Sequence, residues 1–165
     1  MLAQQGQAQE GIEQLRQGLM ALYATGIERG RLYLLALLAE TYGTIGQAAA
    51  GLEGLAAALT RVDTTRDRRY APELYRLKGA LLLQQSADNH AEAQACFQQA
   101  LDVARSQQVK LLELRTATSL SRLWQQQGKR AEARQLLAEF YGWFTEGFDT
   151  PDLREAKALL DVLAH

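Results

Sequence analysis

Four stretches of the chain repeat one spacing of small and apolar side chains. Gly6, Gly46, Asp88 and Gly128 each stand five residues before a small residue: Gly11, Gly51, Ala93 and Ala133. A bulky apolar side chain follows four positions later, as Leu15, Leu55, Phe97 and Leu137. A further pair lies three and four positions on: Gly18-Leu19, Ala58-Leu59, Ala100-Leu101 and Phe140-Tyr141. Such offsets put all the named positions on one face of an α-helix. The small residue lets two helices approach, and the bulky one fills the groove between them. A partner helix precedes three of the four turns. Its small residue is Ala39, Gly79 or Ser121, each 20 residues after Leu19, Leu59 and Leu101. Around these small residues lie Leu35, Leu38 and Tyr42, then Tyr75 and Leu82, then Ala117, Leu120 and Trp124. Successive units start 40, 42 and 40 residues apart, the two additional residues falling in the Ser86–Asn89 loop.

The order of small-then-apolar helix, turn and Ala-x3-Phe-x2-Ala-Leu resembles the tetratricopeptide repeat, a helix-turn-helix unit. Ala93, Phe97, Ala100 and Leu101 match its second-helix signature. The usual period of that repeat is about 34 residues, so a period near 40 implies longer helices. Three longer stretches, 71–85, 123–137 and 141–160, resemble the helical C-terminal regions of large bacterial signalling proteins, where cyclase or regulatory and ATPase domains precede the repeats. The resemblance implies an all-α, right-handed solenoid of antiparallel helical hairpins with roughly eight helices. Residues 1–165 then form a single domain. An incomplete first repeat spans 1–24, repeats follow at 27–62, 68–107 and 110–146, and a capping helix spans 149–165.

The two ends read differently. Asp149-Thr150-Pro151 starts a helix, with proline where its missing N–H is harmless. Leu153, Ala156, Leu159, Leu160 and Leu163 follow as an apolar stripe, with Asp152, Arg154, Glu155 and Lys157 mostly outward. Met1–Gly6 resembles the closing turn of a first helix, by comparison with Leu123–Gly128. The chain is therefore expected to begin inside a repeat, as a piece of a longer protein or a product derived from one. The face of residues 7–22 is expected to be covered by a self-associating partner or a domain swap.

Composition agrees with helix. Only Pro72 and Pro151 are prolines, and Ala, Leu, Gln, Glu and Arg dominate, residues that lose little freedom in a helix. Eighteen basic and 19 acidic residues leave a net charge of −1, without the surplus a phosphate-backbone binder needs. The densest basic stretch, Arg61 to Arg69, is interrupted by Asp63 and Asp67 and reads as a solvated inter-helix loop. The longest apolar run, Leu32 to Ala39, is far short of the roughly 20 residues that span a bilayer. With one cysteine and no leader-like segment, a cytoplasmic protein is expected.

Catalytic and metal-binding patterns are absent, and neither cofactor nor metal is expected. His90 reads as an exposed turn residue and Cys96 as a small buried hydrophobe beside Phe97. Phe140, Tyr141, Trp143, Phe144 and Phe148 read as core between the last repeat and the cap, any exposed remainder serving as an interaction patch. The tetratricopeptide resemblance places the concave wall on first helices. By it the inward positions are Tyr33, Ala36 and Glu40; then Glu73, Arg76 and Ala80; then Arg115, Thr118, Arg122 and Gln125. Arg76, Arg115 and Arg122 would offer guanidinium forks to the carboxylates of an acidic peptide or a small anionic ligand. The expected function is a non-catalytic protein–protein interaction scaffold, related to bacterial signalling proteins. The alternative is a small-molecule sensor binding an anion in the groove. An open polar groove favours the first, an enclosed aromatic pocket the second.

Overall fold

The computed structural model describes residues 2–25, 30–65 and 68–165. Eight α-helices occupy them: α1 (Leu2–Thr25), α2 (Arg31–Thr44), α3 (Ala48–Thr65), α4 (Ala71–Gln85), α5 (His90–Gln107), α6 (Lys110–Gln126), α7 (Arg130–Tyr141) and α8 (Pro151–Leu163). There is no strand among the described residues, and the architecture is an all-α helical-repeat solenoid. The even-numbered helices begin at residues 31, 71, 110 and 151, so the period near 40 continues into α8.

Each helix packs on the next along the chain. In addition the backbones of α2 and α4, of α4 and α6 and of α6 and α8 come close, whereas among the described residues those of successive odd-numbered helices stay further apart, α5 and α7 meeting through long side chains such as Arg105 over the Phe140 ring. Closer spacing of the even helices curves the stack around them, so they form the concave wall.

The core is a relay of apolar clusters along the stack. Ile12 and Leu19 of α1 pack on Leu38 and Tyr42 of α2. Leu32, Ala36 and Ala39 of α2 meet Leu55, Ala58 and Val62 of α3 and Leu74, Leu77 and Leu81 of α4. Leu82 joins α4 to Ala93, Cys96 and Phe97 of α5 and to Leu120 and Leu123 of α6. Leu114 and Ala117 of α6, Ala133 and Leu137 of α7, and Leu153, Ala156, Leu159 and Leu163 of α8 form the last cluster. Burial raises the Cys96 thiol above its ordinary pKa, as fits a packing role.

Close approach depends on small side chains at particular places. A Cβ on Gly79 would lie 2.6 Å from Cε1 of Phe97, and one on Gly51 would lie 2.7 Å from Cδ1 of Leu81. Ser121, fully buried, donates from Oγ to the Ala133 carbonyl at 3.1 Å, joining α6 to α7. Gly11 is different: a Cβ there would meet nothing within 4 Å, so α1 does not need its smallness to dock.

The turns are built in two ways. Gly46 and Gly128 have φ of 77° and 81°, the left-handed conformation glycine adopts without clash. Between α4 and α5 the two additional residues are absorbed by a 3-10 turn, Ala87–Asn89. The Ser86 hydroxyl caps it by accepting from the Asp88 N–H at 3.2 Å, and the Asn89 amide donates to the Leu82 carbonyl at 2.8 Å. Open space surrounds the Gly128 Cβ position. Gly128→Ala is therefore expected to lower stability by about 1–2 kcal/mol through backbone strain alone, read as a shift of the urea midpoint at unchanged slope.

Two expectations from the sequence fail here. No turn occurs at Gly6, because α1 runs unbroken from Leu2; an interior glycine costs a helix only about 1 kcal/mol. The stretch from Arg61 is not a loop, because α3 continues to Thr65. Val62 is the reason, since it extends the buried face of Leu55 and Ala58 by one more turn and is itself 2% exposed. Residues 66 and 67 of that stretch lie outside the described residues.

Candidate functional site

A cleft of about 380 Å³ runs along the concave wall. Each even helix contributes: Glu40 from α2; Glu73 and Arg76 from α4; Arg115, Thr118, Ser119 and Arg122 from α6; Asp152 and Glu155 from α8. On α4, Glu73 and Arg76 are three residues apart and share the inward face, as do Asp152 and Glu155 on α8. The opposite faces of those helices hold Leu74 and Leu153, which anchor them in the core.

The charges are paired within the chain. Arg76 forms a salt bridge with Glu73, its Nε donating to both carboxylate oxygens at 3.2 Å. Arg115 is the hub. Its Nε and one terminal nitrogen donate to the two oxygens of Asp152 at 3.1 and 2.8 Å, while the other terminal nitrogen lies 3.3 Å from Glu73. The Arg115 guanidinium is held well above its ordinary pKa, chiefly by the hydrogen bond to Asp152. Arg122 pairs with Glu155 of α8. Glu40 forms no ion pair with a described residue and is exposed. Thr118 and Ser119 return their hydroxyl hydrogens to the Leu114 and Arg115 carbonyls, leaving oxygen lone pairs as their means of meeting a guest.

Of the residues expected on the concave wall, Glu40, Glu73, Arg76, Arg115, Thr118 and Arg122 come together. Tyr33 and Gln125 do not. Tyr33 stands at the start of α2 with its ring 6.0 Å from that of Tyr70, bracing the entry to α4. Gln125 lies past the cleft near the end of α6, and Ala36 is buried in the core. The sequence reading missed Asp152 and Glu155 by treating α8 only as a cap. A signal was present: Pro151-Asp152-Leu153 repeats the helix start Pro72-Glu73-Leu74. The expectation of open guanidinium forks is also corrected, since carboxylates of the chain itself occupy all three.

Elsewhere, Phe140, Tyr141 and Phe144 pack against the α6–α7–α8 cluster, while Trp143 and Phe148 remain exposed. Lys110 lies over the Trp143 ring and also 3.1 Å from buried Glu113. The face of α1 expected to meet a second copy is largely polar, with Gln9, Glu10, Glu13, Gln14 and Gln17 exposed beside Met20 and Tyr23. Ile12, Leu15 and Leu19 are spent on α2. Among the described residues no His, Cys, Asp or Glu group is arranged to hold a metal, and no helix is long and apolar enough to cross a membrane.

No family model and no curated protein matches the chain. Solved structures do. A Podosopora anserina protein with nearly identical TPR-like repeats, assigned as a kinesin light chain, superposes with a TM-score of 0.68 at 20% identity. The match covers 97% of this chain and 79% of that one. The chain thus has a TPR-like fold.

Proposed function

We propose that the chain is a non-catalytic protein–protein interaction module that receives a polypeptide on the concave wall of α2, α4, α6 and α8. The observation that carries this reading is the cleft itself, a polar, charge-lined trough crossing four helices with no aromatic side chain in its lining. Small-molecule sites are mostly apolar, with a few placed polar groups, so the lining favours a peptide over the sensor alternative. The resemblance of 71–85, 123–137 and 141–160 to bacterial signalling proteins supports a cytoplasmic, regulatory role for the module.

Filling the trough tests this. Ser119 lines its floor and is half-buried, so Ser119→Trp obstructs the cleft while leaving the helix contacts in place. Immobilised native protein is expected to capture polypeptides from its host lysate that the Ser119→Trp protein does not, as read by mass spectrometry. Identical captured sets would show that docking takes place on another face.

A further inference from the structure

The charge of the trough is fixed by a balance within the chain. Every guanidinium in it is matched by a carboxylate: Arg76 by Glu73, Arg115 by Glu73 and Asp152, Arg122 by Glu155. Glu40 has no counterpart among the described residues. Four carboxylates therefore face three guanidinium groups, and the uncompensated charge is negative. We infer that the occupant of the trough is a basic polypeptide segment, its Lys or Arg side chains reaching Glu40 at one end and the outer side of Glu155 at the other. This inference rests on the docking reading above and reverses the sign the arginines alone would imply.

Two comparisons decide the sign. At Arg122 an acidic guest meets a side chain 46% exposed but already paired with the equally exposed Glu155, and at Arg115 it would have to displace Asp152 from a two-pronged pair in which the Asp152 side chain is 17% exposed. That exchange replaces one carboxylate by another and strands the first among Glu73 and Glu155, so nothing is gained. A basic guest disturbs no existing pair. It meets Glu40, which is exposed and uncompensated, and Glu155, whose side chain is 46% exposed even while paired. The reach also suits a peptide. Four neighbouring helices spaced roughly 10 Å apart make a trough about 30 Å long, which an extended segment of about nine residues spans.

Fluorescein-labelled ten-residue peptides of alternating Lys and Ser, and of alternating Glu and Ser, serve as probes in anisotropy titrations. The Lys peptide is expected to bind the native protein, and Glu40→Gln to weaken it about fivefold, the equivalent of one exposed ion pair. Asp152→Asn with Glu155→Gln leaves the apolar stripe of α8 untouched while leaving two carboxylates against three guanidinium groups. This double variant is expected to prefer the Glu peptide, with native circular dichroism confirming its fold. Binding of the Lys peptide that is unaffected by Glu40→Gln and by the double variant would overturn the inference. Tight binding of the Glu peptide by the native protein, abolished by Ser119→Trp, would overturn the sign but leave the docking reading standing. Failure of both peptides to bind would remove the two together.

Discussion

Replacing Phe97 by alanine is expected to destabilise the chain by about 3–5 kcal/mol, the upper range for deleting a buried aromatic ring. Phe97 is 1% exposed and stands at the junction of α4, α5 and α6, with Leu82, Leu120 and Leu123 in the same cluster. Its ring occupies the space that Gly79 leaves empty on α4, lying 2.6–3.0 Å from where a Cβ would be. The two residues therefore form a coupled pair. Gly79→Ala alone is expected to cost about 1–3 kcal/mol, because a ring packed on all sides cannot give way as the tip of a flexible side chain can. In a Phe97→Leu background the same change should cost less, and urea denaturation of the four proteins in the cycle measures the coupling directly. A Gly79→Ala protein of unchanged stability would show that smallness at position 79 is not what brings α4 and α5 together.

This pairing also explains what could be read in the sequence. Small and bulky residues at helical spacing report how two helices meet, and that information is local: Gly79, Ala93 and Phe97 lie within 19 residues of one another. Most of the concave wall was legible for a similar reason. Once α4 and α6 are placed by their buried faces, Glu73, Arg76, Arg115 and Arg122 can point only the other way. Ion pairing is a different kind of fact. Arg115 meets Asp152 across 37 residues, and no periodicity along one helix says which carboxylate of another helix stands opposite. The sequence places three arginines on the wall with Glu40 and Glu73 but not Asp152 and Glu155, and so suggests a surplus of positive charge where the trough holds four carboxylates to three guanidinium groups. Tyr33 shows the limit of register arguments, since an inward position at a helix end serves the neighbouring turn instead. Gly6 shows that a glycine by itself does not mark a turn; at Gly46 and Gly128 the left-handed backbone does.

The C-terminal helix has two faces whose contributions separate by experiment. Leu153, Ala156, Leu159 and Leu163 hold α8 on α6 and α7, while Asp152 and Glu155 face the trough. Leu153 is 2% exposed at the first turn, and Leu153→Asp would bury a second carboxylate immediately after Asp152, with Lys157 one turn further on already paired with Asp161. The expected loss is about 4 kcal/mol or more, the size of effect seen when an unpaired charge enters a core. Its distribution matters more than its size. In a solenoid each unit is stabilised by its neighbours, so damage at one end should stay near that end. Hydrogen exchange is expected to show α8 and α7 losing protection in the Leu153→Asp protein while α2 to α4 keep theirs. The Asp152→Asn, Glu155→Gln protein should lose less protection than this, because Arg115 keeps its partner Glu73 and the Arg122–Glu155 pair is exposed and contributes little beside buried leucines. Simultaneous loss of protection from α2 to α8 would mean that the helices fold as one cooperative block, with α8 holding the whole array rather than its last unit.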